Sequence, residues 1–515
     1  MRLLFIARHF TYFRNYDAAL RDLAARGHTI HLAVEREETL GGRAAVEALA
    51  REQPRITLGF VPERRADTWS GVARRLRLGL DYLRYLEPHY DTAPLRRVRA
   101  RDRTPRLLIA LADPPLLRGP RWRRLVGRFL HALDASVPPP SSIPDFLREQ
   151  RPDALLITPL VDLGSQQVDY VRAAATLGIP TALSVWSWDH LTSKAYLRDY
   201  PERVIVWNPI QRDEAIRVHR VPADRVVVTG AQCFDRWFDQ RPSRSREAFC
   251  ADLGLPASGP LILYVCSGLI KGSPSEPAFV REWLQWLRQS GDPVVRNAAV
   301  LVRPHPSQTA GWQDVDLRDL GPVAIKGANP IDTQSRADYF DALFHSAAVV
   351  GLNTSAFVEA AIVGRQVLTV LVPRFHDNQD GTPHFSYLRD VGGGVLRVAR
   401  TPAEHVAQLA TALTMAPETE HPHRNFLLNF VRPHGLDRPA TPEFVAAVEQ
   451  LGHLPVAAQA APWWGGTVRV LLGAAARATS RLAGESLVRS PRELDPARLA
   501  RIAEAARTKP AERTR

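Results

Sequence analysis

The sequence predicts an α/β protein of two doubly wound domains, and three observations carry that prediction. Short apolar runs alternate with segments of helical spacing in two successive blocks. The polar, proline-bearing stretch Gln240-Arg241-Pro242-Ser243-Arg244-Ser245 between them reads as a linker. Small and polar residues follow the apolar runs directly, where ligands sit beyond the carboxyl ends of parallel strands. A length of 515 residues suits two domains with extensions.

In the first block, Leu3-Leu4-Phe5-Ile6-Ala7 reads as a strand, Tyr16 to Ala25 as a helix ended by Gly27, and His28 to Val34 as a second strand. Strand, helix and strand with short joints imply parallel pairing through a right-handed crossover. From about residue 62 to 148 the rhythm breaks. That stretch is rich in arginine, has helical spacing at Val72, Leu76, Leu80 and Leu83, and closes in Val137-Pro138-Pro139-Pro140, so it reads as a helical insertion. Strands resume near Asp153 to Thr158, Thr181 to Val185, Arg203 to Trp207 and Arg225 to Val228. The second block runs from Leu261 to Cys266 through Val300 to Val302, Ala347 to Leu352, Val367 to Leu371 and Val395-Leu396. Beyond about 425 the pattern loosens. Trp463-Trp464 precede a helix-like run, Thr467 to Ala483, that suits either a membrane surface or packing back onto the globule. The expected domains are 1–239 (an acceptor domain carrying the 62–148 insertion), 240–425 (a nucleotide-donor domain) and 426–515 (a helical extension with a disordered basic tail).

The net charge of +13 comes from arginine, because only four of 67 basic residues are lysine. The surplus is uneven: residues 64–128 hold 17 Arg against 6 acidic residues. Such a surplus suits anionic lipid, a phosphate-rich acceptor or nucleic acid, and equally a solvated helical face. No nucleic-acid motif accompanies it, so no nucleic-acid partner is expected. Cys233, Cys250 and Cys266 are widely spaced, which argues against a disulfide framework or a zinc site. The opening MRLLFIARHF is too short an apolar stretch for a signal peptide and reads as the first strand, so a cytoplasmic protein is expected, with association at the inner face of a membrane left open.

Several polar clusters follow strands. Asn353-Thr354-Ser355 opens a helix where free amides favour an anion such as pyrophosphate, and Glu359 lies one turn after Ser355, placed to accept from a ribose diol. Arg303 offers a planar fork for phosphate, and His305 is held between Pro304 and Pro306. Ser267 and Lys271 lie in the small-residue loop from Cys266 to Ser273, which lacks the spacing of an ATPase P-loop. In the first block, Asp189 and His190 are candidates for a general base, and His9 follows the first strand. Each also fits a plainer reading, as an N-cap, a surface acid or a structural imidazole.

RPHP at 303–306, Tyr339-Phe340 and NTSAFVEAAIVGRQV at 353–367 resemble the donor half of GT-B glycosyltransferases. The likeness is nearest to enzymes of surface-polysaccharide assembly, and UDP-GlcNAc 2-epimerases share the scaffold. RGH at 26–28 and DRVVVTG at 224–230 extend it into the first half. The resemblance implies two Rossmann-like domains about a cleft and a nucleotide-sugar donor held by Arg303, His305, Ser355 and Glu359. It also implies a cell-envelope acceptor, no cofactor and no bound metal. Catalysis would fall to Asp189, His305 and His9, with Ser267, Lys271, Asn353 and Thr354 completing the donor site. The acid that often follows the ribose-binding Glu is replaced by Gln366 and Val367, and the 62–148 insertion has no counterpart. An epimerase and a non-catalytic scaffold are the rival readings.

Overall fold

A computed structural model of the chain describes residues 1–38, 41–114, 119–270, 272–415, 421–456 and 465–483. The chain forms two compact units, Met1–Thr229 with Thr441–Arg515, and Gly230–Ala440.

The first unit is built on a parallel sheet of β1 (Arg2–Ala7), β2 (Thr29–Val34), β3 (Ile56–Phe60), β4 (Ala154–Ile157), β5 (Thr181–Ser184), β6 (Arg203–Val206) and β7 (Val226–Val228), in the order β3-β2-β1-β4-β5-β6-β7. The second carries β8 (Leu261–Val265), β9 (Ala299–Arg303), β10 (Val323–Ile325), β11 (Ala348–Val350), β12 (Gln366–Val370) and β13 (Leu396–Ala399), ordered β10-β9-β8-β11-β12-β13. Both sheets reverse direction of winding once, between β1 and β4 and between β8 and β11. Each is the doubly wound α/β architecture the sequence predicts.

The central strands read as continuous apolar runs because helices cover both faces of a parallel sheet. Every residue of β4, β5, β8 and β9 is buried. β3 and β10 are absent from the expected strands. They are edge strands with mostly half-exposed residues, so neither shows an apolar run.

Between β3 and β4 stand the helices Ser70–Arg84, Pro94–Arg103, Arg106–Ala112, Pro120–Ala135 and Ser142–Gln150, and the first four share a core of their own around Leu80, Leu83, Tyr90, Val126 and Leu130. Buried charge ties this insertion to the sheet domain. Arg77 bonds Asp134 at 3.0 Å and Asp169 at 2.6 Å; Arg172 bonds Asp134 and Asp199, each at 2.6 Å; Arg198 bonds Asp81 at 2.6 Å. Arg84 donates to the carbonyls of Leu191, Thr192, Lys194 and Ala195, gripping the loop after Asp189.

The chain divides before the predicted linker. Asp235 pairs with Arg432 at 2.9 Å, Trp237 meets the Tyr339 ring edge-on, and Ser243 and Arg244 are bonded to Asp341. These anchors make 230–245 part of the second unit. The helix Ala440–Leu451 belongs instead to the first core, where Phe444, Val445, Val448 and Leu451 pack with Leu3, Phe5 and Tyr16. The helix Gly465–Ala483 lies on the insertion: Arg469 donates to the Ser136 carbonyl at 3.2 Å, while Val470 and Leu471 stay exposed. Trp463, Trp464 and the tail from 484 lie outside the described residues. No helix among the described residues is long and apolar enough to cross a membrane.

Candidate functional site

In the second unit the reversal between β8 and β11 brings two loops together. Ser267 follows β8, Asn353 follows β11, and the Asn353 amide donates to Ser267 Oγ at 3.1 Å. Asn353 Nδ2 donates to the Asn378 carbonyl at 2.7 Å, and its buried Oδ1 has no hydrogen-bond partner. Asn378 in turn accepts from the Ile270 amide and donates to Ser273 Oγ at 2.8 Å. The small-residue loop is thus tied down at both ends. A cavity of about 310 Å³ borders it, lined in part by Leu269, Ser273, Glu276, Gln308 and Trp312.

Arg303 ends β9. It is 6% exposed, donates to the Ala328 carbonyl at 2.7 Å, and lies over the Tyr339 ring at 4.6 Å from its centroid. The Tyr339 hydroxyl donates to the Glu359 carboxylate. Burial pulls Arg303 below its usual value, opposed by Tyr339, Asp338 and Glu359. Any side chain at Gly327, whose φ is +155°, would strike the Arg303 stem, its Cβ falling 2.6 Å from Cγ. His305 hydrogen-bonds Ser307 Oγ at 2.8 Å and packs on Gly268, where a Cβ would come within 3.2 Å of Nε2. Ser267, Arg303, His305, Asn353 and Glu359 are therefore grouped at the carboxyl ends of β8, β9 and β11. Thr354 Oγ1 accepts weakly from the Ala356 amide at 3.4 Å; Ser355 is exposed and makes no side-chain cap. The helix that follows, Ala356–Ile362, has only seven residues, which shifts the expected anion stabilisation from its dipole to the side chains and loop amides. Lys271 lies outside the described residues.

Glu276 is a residue the sequence reading missed. It opens the helix Glu276–Arg288, is 2% exposed, and accepts from the Ser267 amide at 3.0 and 3.1 Å. Burial pushes its carboxyl up to about 8, outweighing the bonds from Ser267 and Tyr264 that favour the charged form. Its only signal in sequence is Ser275-Glu276-Pro277, an ordinary helix start.

In the first unit Asp189 follows β5 and is held on three sides. Ser187 Oγ and Ser193 Oγ each donate to it at 2.7 Å, and Lys194 Nζ stands 3.3 Å away. His190 is fully buried, with Nε2 on the Pro159 carbonyl at 2.7 Å and Nδ1 facing the Trp186 amide at 3.3 Å. That pattern assigns a neutral Nε2–H tautomer, and burial pulls its pKa down to about 4. His190 is a core histidine, which leaves Asp189 as the candidate base. His9, after β1, meets the Tyr12 ring edge-on at 4.6 Å, and burial lowers it also to about 4, so both imidazoles are neutral at pH 7.

No family model matches the sequence, and no curated protein matches it. Solved structures do. The chain is similar to UDP-GlcNAc 2-epimerase from Methanocaldococcus jannaschii, with 10% identity and a TM-score of 0.47 over 87% of this chain and 99% of that one. It is similar to MurG from Acinetobacter baumannii (14% identity, TM-score 0.42, 87% and 99% covered) and to WaaG, a glycosyltransferase involved in lipopolysaccharide biosynthesis (12%, 0.41, 93% and 99%). At such identities and scores these likenesses assign no activity to the chain.

Proposed function

We propose that the protein transfers a glycosyl group from a nucleotide-sugar donor to a cell-envelope acceptor at the cytoplasmic face of a membrane. The observation that carries this reading is the array Arg303–Tyr339–Glu359 beside Ser267 and Asn353, at the winding reversal of the second sheet. A guanidinium locked on an aromatic face suits a diphosphate, and a half-buried carboxylate one helical turn from the loop suits a ribose diol. The acceptor oxygen attacks the anomeric carbon, the bond from that carbon to the donor phosphate breaks, and the nucleotide leaves with the electron pair on its terminal phosphate. Arg303 and the loop amides stabilise the charge that develops there, with His305 as a further donor. Asp189 takes the hydroxyl proton; Lys194 and the two serines hold its carboxylate in place. Membrane contact falls to the insertion, where Leu107, Leu125 and Phe129 are exposed among arginines.

Thermal-shift screening against UDP, GDP, CMP and their sugars tests the reading. A donor at a hundred times its dissociation constant adds about 2.7 kcal/mol, and Arg303→Met removes that gain. Asp189→Asn keeps nucleotide binding and loses transfer. Absence of a shift with every nucleotide overturns the assignment, and conversion of UDP-GlcNAc alone to ManNAc would make the protein an epimerase instead.

A further inference from the structure

The winding reversal of the first sheet is lined by arginine. Register places Ala7, Val34 and Phe60 level across β1, β2 and β3, so the residues after them emerge at one edge. β4 joins the same edge, with the Thr158 amide on the Ile6 carbonyl at 2.9 Å. Arg8 leaves β1 and contacts Asp162 in the loop after β4. Arg36 follows β2. Arg64, beyond β3, stands 3.9 Å from Glu35. The insertion adds Arg74, whose stem would lie 3.6 Å from a Cβ at Gly164, and Arg103, at the end of a helix fixed by the Thr104 hydroxyl on the Leu78 carbonyl.

Among the described residues, the carboxylates that bear on this group of arginines are Glu35 and Asp162. Arg8 and Arg64 take those two, whereas Arg36, Arg74 and Arg103 carry no ion pair among the described residues. The five feel one another. After partial burial, Arg103 is pulled down by Arg99, Arg74 and Arg8 against Asp162, Arg74 by Arg64, and Arg36 by Arg8 and Arg64 against Glu35 and Asp162. Like charges gathered at a ligand-binding edge, with too few counter-ions, are relieved by a bound polyanion.

We propose that this basin, built by Arg36, Arg74 and Arg103 with Arg8 and Arg64 at its rim, binds a phosphate or diphosphate group of the acceptor. Calling the ligand an acceptor rests on the proposed transfer; the binding of phosphate does not. Guanidinium forks bind phosphate oxygens in pairs, so a diphosphate can engage several of the five at once.

Calorimetric titration of the full chain with inorganic pyrophosphate, run beside a titration with UDP, tests the proposal. Arg74→Ala/Arg103→Ala should weaken pyrophosphate at least tenfold and leave UDP binding unchanged. Arg121→Ala/Arg128→Ala, which removes two exposed arginines from the helix Pro120–Ala135, should change neither. A long-chain alkyl phosphate in detergent micelles separates the sources: tighter binding than pyrophosphate points to a lipid-borne phosphate, the reverse to a soluble or polymeric one, and both support the basin. Equal weakening by the two double variants, or no binding of either phosphate to a chain with an unchanged melting curve, overturns it. Pyrophosphate bound without any nucleotide would leave the basin standing and remove the transfer reading.

Discussion

Replacing Arg77 by methionine tests how the insertion is held. Arg77 is 1% exposed; its Nε bonds Asp134 at 3.0 Å, while Nη1 and Nη2 reach the two oxygens of Asp169 at 3.1 and 2.6 Å. Both carboxylates are fully buried. Asp134 keeps Arg172 after the substitution, but among the described residues Asp169 is left with only Arg65 as an ionic partner, at 3.9 Å. Removing one partner of a buried pair costs about 3–5 kcal/mol, most of it the burden of an uncompensated charge. In a unit of this size each kcal/mol moves the midpoint by roughly 2–4 °C, so the first unit should melt roughly 6–20 °C lower. Scanning calorimetry reads that shift, with the transition of the second unit as an internal reference. Adding Asp169→Leu removes the orphaned charge and should recover a substantial part of the loss. A single variant melting within about 2 °C of the parent, or a double variant less stable than the single, refutes the argument.

Glu276 binds a proton more tightly in the folded chain than in the unfolded one, its carboxyl being raised to about 8 from 4.5, so its contribution is present below pH 4.5 and is lost as pH rises toward 8. Melting temperature should therefore fall from pH 5 to pH 8 more steeply in the parent than in Glu276→Gln, and parallel curves would contradict the buried-acid assignment. On the insertion, Leu125→Asp/Phe129→Asp should weaken co-sedimentation with phosphatidylglycerol vesicles by roughly tenfold or more, since each exposed side chain contributes on the order of 1 kcal/mol when it enters the interface. Unchanged sedimentation would remove the membrane reading.

Both sheets were legible because a parallel strand covered on two faces must be apolar throughout, as Leu261–Val265 and Ala299–Arg303 are. β10 was not, since its three residues are all half-exposed at an edge. The donor-loop residues announced themselves by following such strands. Glu276 did not, because nothing local distinguishes a buried helix-opening acid from an exposed one; only the fold brings the Ser267 amide over it. The division near residue 230 was hidden for a similar reason. Asp235 and Trp237 are held by Arg432 and Tyr339, about 200 and 100 residues away, and nothing near them in the sequence marks that division.

The arginine surplus was the least legible feature, because composition cannot separate two physically different uses of one residue. On the helix Ser70–Arg84, Arg77, Asp81 and Arg84 are buried at spacings of four and three, a charged stripe beside the apolar one of Leu76, Leu80 and Leu83. In a sequence that stripe reads as a solvated face. In the fold it is a set of clamps, each guanidinium saturated by carboxylates or by the carbonyls after Asp189. Arg74, one turn earlier on the same helix, is exposed and unsaturated. The clamps fix the helix, so Arg74 meets the strand ends of the first sheet from a rigid backbone mount, and only its side-chain rotamers remain to be ordered on binding an anion. That is the physical difference between a charge that holds the protein together and one that is left for something else.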